Sequence, residues 1–348
     1  MVYELKGSAA AGAAALRSET GVVIPVYFPE ASAHDHDIAV ALLRDTVSSC
    51  LQNIGTADTV CLSVDGRRNG AEIANALGTE FGVSVVVADA NHGKLAALRN
   101  GVDELLQRSQ LHYFAVVDAD GDHFPYELLT MLRCTLLLRA EDNDREVFVL
   151  GSRRSRHRPL GFLRGEMEEI ADRVLLDALH FDAAVRGRPL ALEYTTAIEE
   201  FPDFHSGFKL FTRSTAATVF TQEPHRCGVS EDAYFRHGCE AVMSVEALRS
   251  GARLAVVART TMNEQPVSSF GLLERTRLVA DKIVWPCRRL GVPAEFVDQW
   301  LRNHMPRLLL PTLVPQGQQE LMQIHRLVLE DLGLPGDVDD RPGRSPFI

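Results

Sequence analysis

From Gly21 the chain reads Val22-Val23-Ile24-Pro25-Val26-Tyr27, a short β-branched run, and then Ile38, Ala41, Leu42, Leu43, Val47 and Leu51 recur at helical spacing. An apolar run followed by a period near 3.6 predicts strand, loop, helix. The alternation repeats, predicting strand 59–64, helix 70–81, strand 83–87, helix 93–107, strand 112–117, helix 126–138 and strand 147–150. Strands that are apolar along their length and alternate with amphipathic helices predict an α/β fold. Its sheet would be open, mostly parallel and twisted, with helices on both faces. From about Met262 the strand signals stop, and helical patterns run to Leu332. The Ala-rich opening, to about Leu16, has no period-2 pattern and reads as a frayed helix or a mobile tail, and residues 335–348, rich in Gly, Pro, Asp and Arg, read as a second tail. The expected organisation is a tail over 1–20, a main domain over 21–260, a helical C-terminal extension over 261–334 and a tail over 335–348. There is no internal repeat.

Composition narrows the function classes. The chain has 348 residues, enough at about 150 residues per domain for one large core and a smaller satellite. With 46% hydrophobic and 24% charged residues, it lies far from the composition of disordered chains. The net charge of -11 repels phosphate backbones and anionic membranes at long range, which argues against nucleic acid as a partner. The six cysteines, Cys50, Cys61, Cys134, Cys227, Cys239 and Cys287, show no CxxC spacing and read as buried free thiols in a reducing compartment. There is no apolar run of transmembrane length and no signal-peptide pattern, so the expectation is a cytoplasmic protein, peripheral to a membrane if it meets lipid.

In an open parallel sheet the ligand sits beyond the carboxyl ends of the strands, where this chain places Pro25 to Glu30, Asp65-Gly66, Asp89 to Asn91, Asp118 to Asp122 and Gly151 to Arg153. The sharpest of these segments is Val116-Val117-Asp118-Ala119-Asp120-Gly121-Asp122-His123. Three carboxylates at alternate positions repel one another unless a cation sits among them, and a hard divalent ion with oxygen ligands meets that need. A solvated acidic turn is the plainer alternative. A calcium loop fails, because Gly121 falls at the fourth position and no Glu follows at the twelfth.

Val117-Asp118-Ala119-Asp120 followed by His123-Phe124-Pro125-Tyr126-Glu127 resembles the "DxD … hpPE" segment of family 2 GT-A glycosyltransferases, especially the dolichyl-phosphate and polyprenol-phosphate mannosyltransferase-like branch. Further pieces follow in the family's order. Ile24-Pro25-Val26-Tyr27 is similar to the opening "IPvyNE", Asp65-Gly66 stands at "DDGS", and Asn91-His92-Gly93-Lys94 with Leu95 to Leu98 resembles "N.GKg.Al..G". Gly151-Ser152-Arg153 resembles "GSR", Asp203 to Leu210 resembles "D..SGFkl", and Ser230-Glu231-Asp232 resembles the late "ED" element. The resemblance covers about Val22 to Val257.

It implies a metal-dependent transfer of sugar from a UDP- or GDP-linked donor, with inversion, to a soluble or lipid-phosphate acceptor. On this reading Pro25, Tyr27, Glu30, Asp65, Asn91, Lys94, Asp118, Ala119 and Asp120 bind the nucleotide sugar. Asp118, Asp120 and Asp122 hold Mg²⁺ or Mn²⁺, a Lewis acid for the leaving diphosphate. Arg153, Arg164, Ser206 and Gly207 face the acceptor. Asp232, beside Glu231, is the candidate base.

Plainer roles stand beside these. Ser230-Glu231-Asp232 also reads as a helix N-terminus with a serine cap, Asp65-Gly66 as a turn, Lys94 as an exposed first-turn lysine, and Arg153, Arg154, Arg156 and Arg158 as a solvated basic loop. His34-Asp35-His36-Asp37 reads as an N-cap rather than a metal site, and His304 and His325 as surface or packed histidines. The chain departs from "DDGS" at Val64 and Arg67, and Glu166, Glu168 and Glu169 after Arg164 disfavour a phosphate acceptor. A nucleotidylyltransferase would want a Gly-rich loop after the first strand, which 25–29 lacks, and no GxGxxG follows a strand for a dehydrogenase. A catalytically silent nucleotide-sugar-binding relative is the remaining alternative.

Overall fold

The computed structural model describes residues 8–29, 33–68, 70–142, 145–157, 161–195, 200–261 and 274–335. Glu30, Arg158 and the expected tail from 336 onward lie outside them. Seven strands form one sheet: β1 (Thr20–Val26), β2 (Val60–Val64), β3 (Ser84–Val87), β4 (Tyr113–Val116), β5 (Val147–Arg153), β6 (Lys209–Thr212) and β7 (Arg253–Arg259). Their order is β3-β2-β1-β4-β6-β5-β7. Only β6 runs against its neighbours; the remaining pairings are parallel. The α/β architecture predicted from the alternating pattern is therefore present, with each predicted strand found within a few residues of its expected bounds.

The sheet separates two cores. One gathers Val23, Leu98, Phe114, Phe148, Phe211 and Trp285, the other Ile24, Leu43, Val64, Leu132 and Phe208. The alternation of Val23 and Ile24 between them is the two-residue period of a strand buried on both faces. The C-terminal helices Arg275–Arg289, Ala294–His304 and Gly317–Asp331 send Trp285, Val297 and Leu321 into the first of these cores. The extension thus shares its packing with the main domain.

The opening segment, expected as a frayed helix or a mobile tail, is helix α1 (Ala9–Ser18). Ser8 caps it by accepting from Ala11 N–H at 3.1 Å, and Gly12, Ala15 and Leu16 form its buried stripe. A Cβ on Gly12 would stand 2.7 Å from Arg133 in α5 (Leu128–Glu141), so the smallest residue sits where the two helices meet. The stripe is so short and poor in large residues that periodicity alone leaves helix and tail both open. Cys227 departs from the expected buried thiols: it is exposed, at φ 53° in a turn. Cys50, Cys61, Cys239 and Cys287 are buried as expected, and Cys134 is half-buried.

Two local features open the carboxyl edge of the sheet. Pro25 lies inside a central strand, where a missing N–H normally breaks a ladder. Val23 O accepts from Val117 N–H, so by the two-residue period Pro25 faces the same side, just past the last paired residue of β4. The next bond of that ladder would need an N–H at residue 25, so the proline ends the β1–β4 pairing there. Helix α4 (Lys94–Leu106) lies close beneath β1 and β2 because Gly101 brings its backbone against Val23 and Ser63; Ser63 Oγ–H donates to Ala97 O at 2.6 Å. That contact carries the first residue of the helix, Lys94, to the edge where β4 ends.

Candidate functional site

The chain leaves β4 into Asp118, and His123 folds the following loop back on itself. The ring nitrogen Nδ1 of His123 accepts from Asp118 N–H at 2.9 Å, which leaves Nε2 facing the Asp118 carboxylate at 3.8 Å. Burial pushes the imidazole down to about 3, so it is neutral at physiological pH. Its ring stacks on Phe208 at 4.8 Å between centroids. Asp120 accepts from Asp122 N–H at 3.1 Å. Asp122 itself turns aside, because Arg259 at the end of β7 donates to its carboxylate at 2.8 Å and to its carbonyl at 2.9 Å. The three alternating carboxylates thus diverge. Asp118 and Asp120 stay at the edge, and Asp122 is tied to a buried guanidinium.

The cation nearest Asp118 is Lys94. Its ammonium lies 2.8 Å and 3.0 Å from the two carboxylate oxygens and 3.0 Å from Glu240. Burial opposes charge on all three groups, yet their mutual attraction prevails: Lys94 is held well above the usual ammonium range, Asp118 well below the carboxylate range, and Glu240 below it. Asp120 goes the other way. Burial and the charge of Asp118 push its carboxyl up to about 7, and it makes no ion pair among the described residues.

Glu240 was not anticipated from the sequence. It occupies the first turn of the helix Cys239–Arg249, after a π-helical turn over Ala233–His237, and its side chain is only 14% exposed. Asp232 and Glu231, by contrast, are 67% and 65% exposed. Asp232 pairs with Arg236 at 2.6 Å, and Arg236 in turn donates to Asn91 O at 2.9 Å. Asp232 therefore meets the Asn91 loop through that arginine, while Glu231 pairs with Arg226 at 3.1 Å.

Gly207 closes the cluster. A Cβ built there would stand 2.6 Å from Asp118 Oδ2, 3.1 Å from Lys94 Nζ and 3.2 Å from His123 Cε1. No positive φ requires glycine at this position, so the constraint is the neighbouring carboxylate. Gly207→Ala is expected to shift Asp118 and weaken cation binding at the site at least about tenfold, with a fall in stability in the range of a buried overpacking substitution, about 1–3 kcal/mol. Calorimetric titration with Mn²⁺ beside a melting curve checks both; a fallen midpoint with unaltered cation affinity would make Gly207 a packing residue only.

The other expected positions fall as follows. Asp65 is buried and accepts from His92 N–H and Gly93 N–H, each at 2.8 Å, so it fixes the loop that presents Lys94. Asn91 lies in that loop with a buried Oδ1 lacking a hydrogen-bond partner. Tyr27 is 39% exposed after β1, while Ala119 is buried. Ser206 Oγ–H donates to Gly151 O at 2.6 Å. Arg164 pairs with Glu168 at 3.2 Å.

Arg153 is not at a solvated loop. It is 4% exposed and donates to Asp203 from Nε at 2.8 Å and Nη2 at 2.5 Å, with Glu168 at 2.8 Å. Arg156, Lys282, Asp172 and His205 extend this network. The acidic turn Glu166, Glu168 and Glu169 is thereby matched by internal cations. Glu166 also accepts from Leu309 N–H and Leu310 N–H, pinning the C-terminal extension.

The helix Ala33–Ile54 begins before His34, so Asp35 and Asp37 lie within its first turns rather than at its cap. His304 and His325 pack against Asp177 and Asp298, each at 2.6 Å. Among the described residues the one three-ligand group is His157, Glu166 and Glu169, and its carboxylates already serve backbone N–H groups and Arg173. No helix among the described residues is long and apolar enough to cross a membrane.

No protein-family model and no curated protein matches the sequence. Among solved structures, S. aureus TarS 1-349 is similar with a TM-score of 0.41 and 12% identity over 90% of this chain and 83% of that one, alone and in complex with UDP. The mannosyltransferase PcManGT from Pyrobaculum calidifontis, in complex with GDP-Man and Mn2+, is similar with a TM-score of 0.42 and 14% identity over 91% of this chain and 73% of that one.

Proposed function

We propose that this chain is a GT-A type glycosyltransferase that moves a sugar from a UDP- or GDP-linked donor to an acceptor hydroxyl, with inversion. The observation that carries the reading is the meeting of Lys94, Asp118, Gly207 and Glu240, from four distant segments, at the carboxyl edge of the sheet. Beside them stands Asp120, a carboxylate with no ion pair among the described residues.

The residues fit a divalent cation. Asp118 Oδ1 is buried without a hydrogen-bond partner, and burial beside the charge of Asp118 raises Asp120 to about 7. Asp118 and Asp120 would hold Mg²⁺ or Mn²⁺, which when bound supplies Lewis-acid neutralisation of the departing diphosphate. The protein's own groups do the rest. Lys94, at the start of a helix, lies where a diphosphate approaches backbone N–H groups and a cation. Asp65 and Asn91 hold the loop against which the nucleotide would rest. Glu240, kept ionised by Lys94, is placed to take the proton of an incoming hydroxyl, and a base acting opposite the leaving group in one displacement inverts the anomeric centre. The paired state of Arg153, Arg156 and Arg164 favours a neutral hydroxyl over a phosphate acceptor.

Thermal-shift titration with UDP- and GDP-sugars, in Mn²⁺ and in EDTA, tests the reading. A donor at 100 times its Kd should stabilise the folded state by about 2.7 kcal/mol. Asp120→Asn should abolish the metal-dependent part of that gain and leave the ligand-free midpoint nearly unchanged. Equal donor affinity in EDTA and Mn²⁺ would sink the metal-dependent mechanism, and donor binding without turnover would identify a silent binding protein.

A further inference from the structure

Lysine is rare in this chain: it occurs at 6, 94, 209 and 282 only, against thirty-two arginines. Lys209 and Lys282 are buried, and Lys94 bridges Asp118 and Glu240. Where the loop after β4 needs a permanent cation it uses Arg259, whose planar fork grips Asp122 at both its carboxylate and its carbonyl. Asp118 is served by an ammonium instead. An ammonium is a compact point charge on a flexible stem, closer in size to a metal ion than a guanidinium is, and it forms no fixed bidentate fork. It also sits at one of the two carboxylates that would receive the proposed metal.

Three further observations bear on that placement. Asp118 Oδ1 lies 2.8 Å from the ammonium yet has no hydrogen-bond partner of acceptable geometry, so the ammonium holds this carboxylate by a single hydrogen bond, to Oδ2 at 3.0 Å. Gly207 sets backbone without a side chain against the pair, where a Cβ would stand 2.6 Å from Asp118 Oδ2 and 3.1 Å from Lys94 Nζ. Glu240 gives the ammonium a second partner, so leaving Asp118 does not strand a buried charge.

We propose that Lys94 is an exchangeable resident cation: in the donor-free protein its ammonium fills the seat beside Asp118, and a divalent metal displaces it toward Glu240 and the diphosphate. The inference rests on the reading that Asp118 and Asp120 receive a metal. It makes the empty site electrically balanced, and it couples metal arrival to the delivery of a cation to the substrate phosphates.

The test uses Mn²⁺ alone, without nucleotide. Removal of a like charge a few ångströms from the ion should make Lys94→Gln bind Mn²⁺ about tenfold or more tightly than wild type. Lys94→Gln with equal or weaker Mn²⁺ affinity and an unchanged circular dichroism spectrum would overturn the proposal. Should that variant fail to fold, amine labelling of the wild-type chain decides, because only four lysines compete for the reagent. Labelling of Lys94 should rise severalfold on adding Mn²⁺, and unchanged labelling at saturating Mn²⁺, or no Mn²⁺ binding at all, counts against exchange. A chain whose Lys94 responds to Mn²⁺ but which binds neither UDP nor GDP would keep the exchange and remove the glycosyltransferase reading.

Discussion

Replacing Arg153 by Met is expected to destabilise the fold by about 3–5 kcal/mol, the range for removing one partner of a buried ion pair. Arg153 stands between Asp203, fully buried, and Glu168, 2% exposed. Burial alone would raise both carboxyls, but the cations around them hold each well below its usual range. Without the guanidinium, Asp203 keeps the backbone N–H of residue 153 at 3.0 Å and, as a cation, the distant Arg156 at 3.5 Å. Urea unfolding should show the loss as a lower midpoint with unaltered slope. A change below about 1 kcal/mol, the range of exposed pairs, would mean that water reaches the network. Asp203→Asn combined with Arg153→Met should recover part of the loss, because no uncompensated charge remains.

The same network sets a pH dependence. Carboxyls whose folded range lies below the unfolded one bind fewer protons in the native state, so they stabilise it fully above about pH 4 and lose that contribution as the pH falls further. Unfolding on acidification below about pH 4 should therefore be steep in the wild type and shallower in Asp203→Asn.

Much of this was legible in the chain itself. Continuous apolar runs alternating with helices of 3.6-residue period gave the parallel sheet, the rule that ligands sit beyond the strand ends pointed to Asp118, and the family resemblance pointed to Lys94 and Gly207. What periodicity could not reveal was pairing across long separations. Asp122 looked equivalent to Asp118 and Asp120 until β7 delivered Arg259, 137 residues further along the chain, to its carboxylate. Arg153 looked like part of a basic loop until Asp203, 50 residues on, came to lie against it. Helix α1 could not be told from a tail because Gly12 and Ala15 bury through smallness rather than hydrophobicity.

Glu240 was obscured for a different reason. The Ser230-Glu231-Asp232 triplet has the form of a helix start, and Ser230 does cap by accepting from Ala233 N–H at 3.1 Å. The chain then passes through the π-helical turn over Ala233–His237, which ends at Gly238 with its N–H donating to Ala233 O. A new helix begins one residue later. A signal was present: Glu240 is a lone carboxylate in the first turn of a helix whose Ala241, Val242 and Val245 are all buried. An acid on such a segment needs a cation, and Lys94 supplies it from 146 residues away.

Glu240→Gln is expected to lower kcat by about 10² to 10⁴, the contribution of a positioned general base, while Asp232→Asn lowers it less than about fivefold because its carboxylate is 67% exposed and occupied with Arg236. Gln keeps the volume and one acceptor oxygen but cannot take a proton. Because Glu240 is held below the usual carboxylate range, the wild-type rate should stay flat across neutral pH and decline only in acid. Donor affinity separates the roles: Glu240→Gln also loosens Lys94, so a loss confined to donor binding would make Glu240 a partner of the lysine rather than a base. An acceptor that already carries its negative charge needs no proton removed, and with such an acceptor the two variants should turn over alike. If Glu240→Gln instead loses the same factor with an ionised acceptor and a hydroxyl, the carboxylate stabilises the transition state by charge and another group must accept the proton.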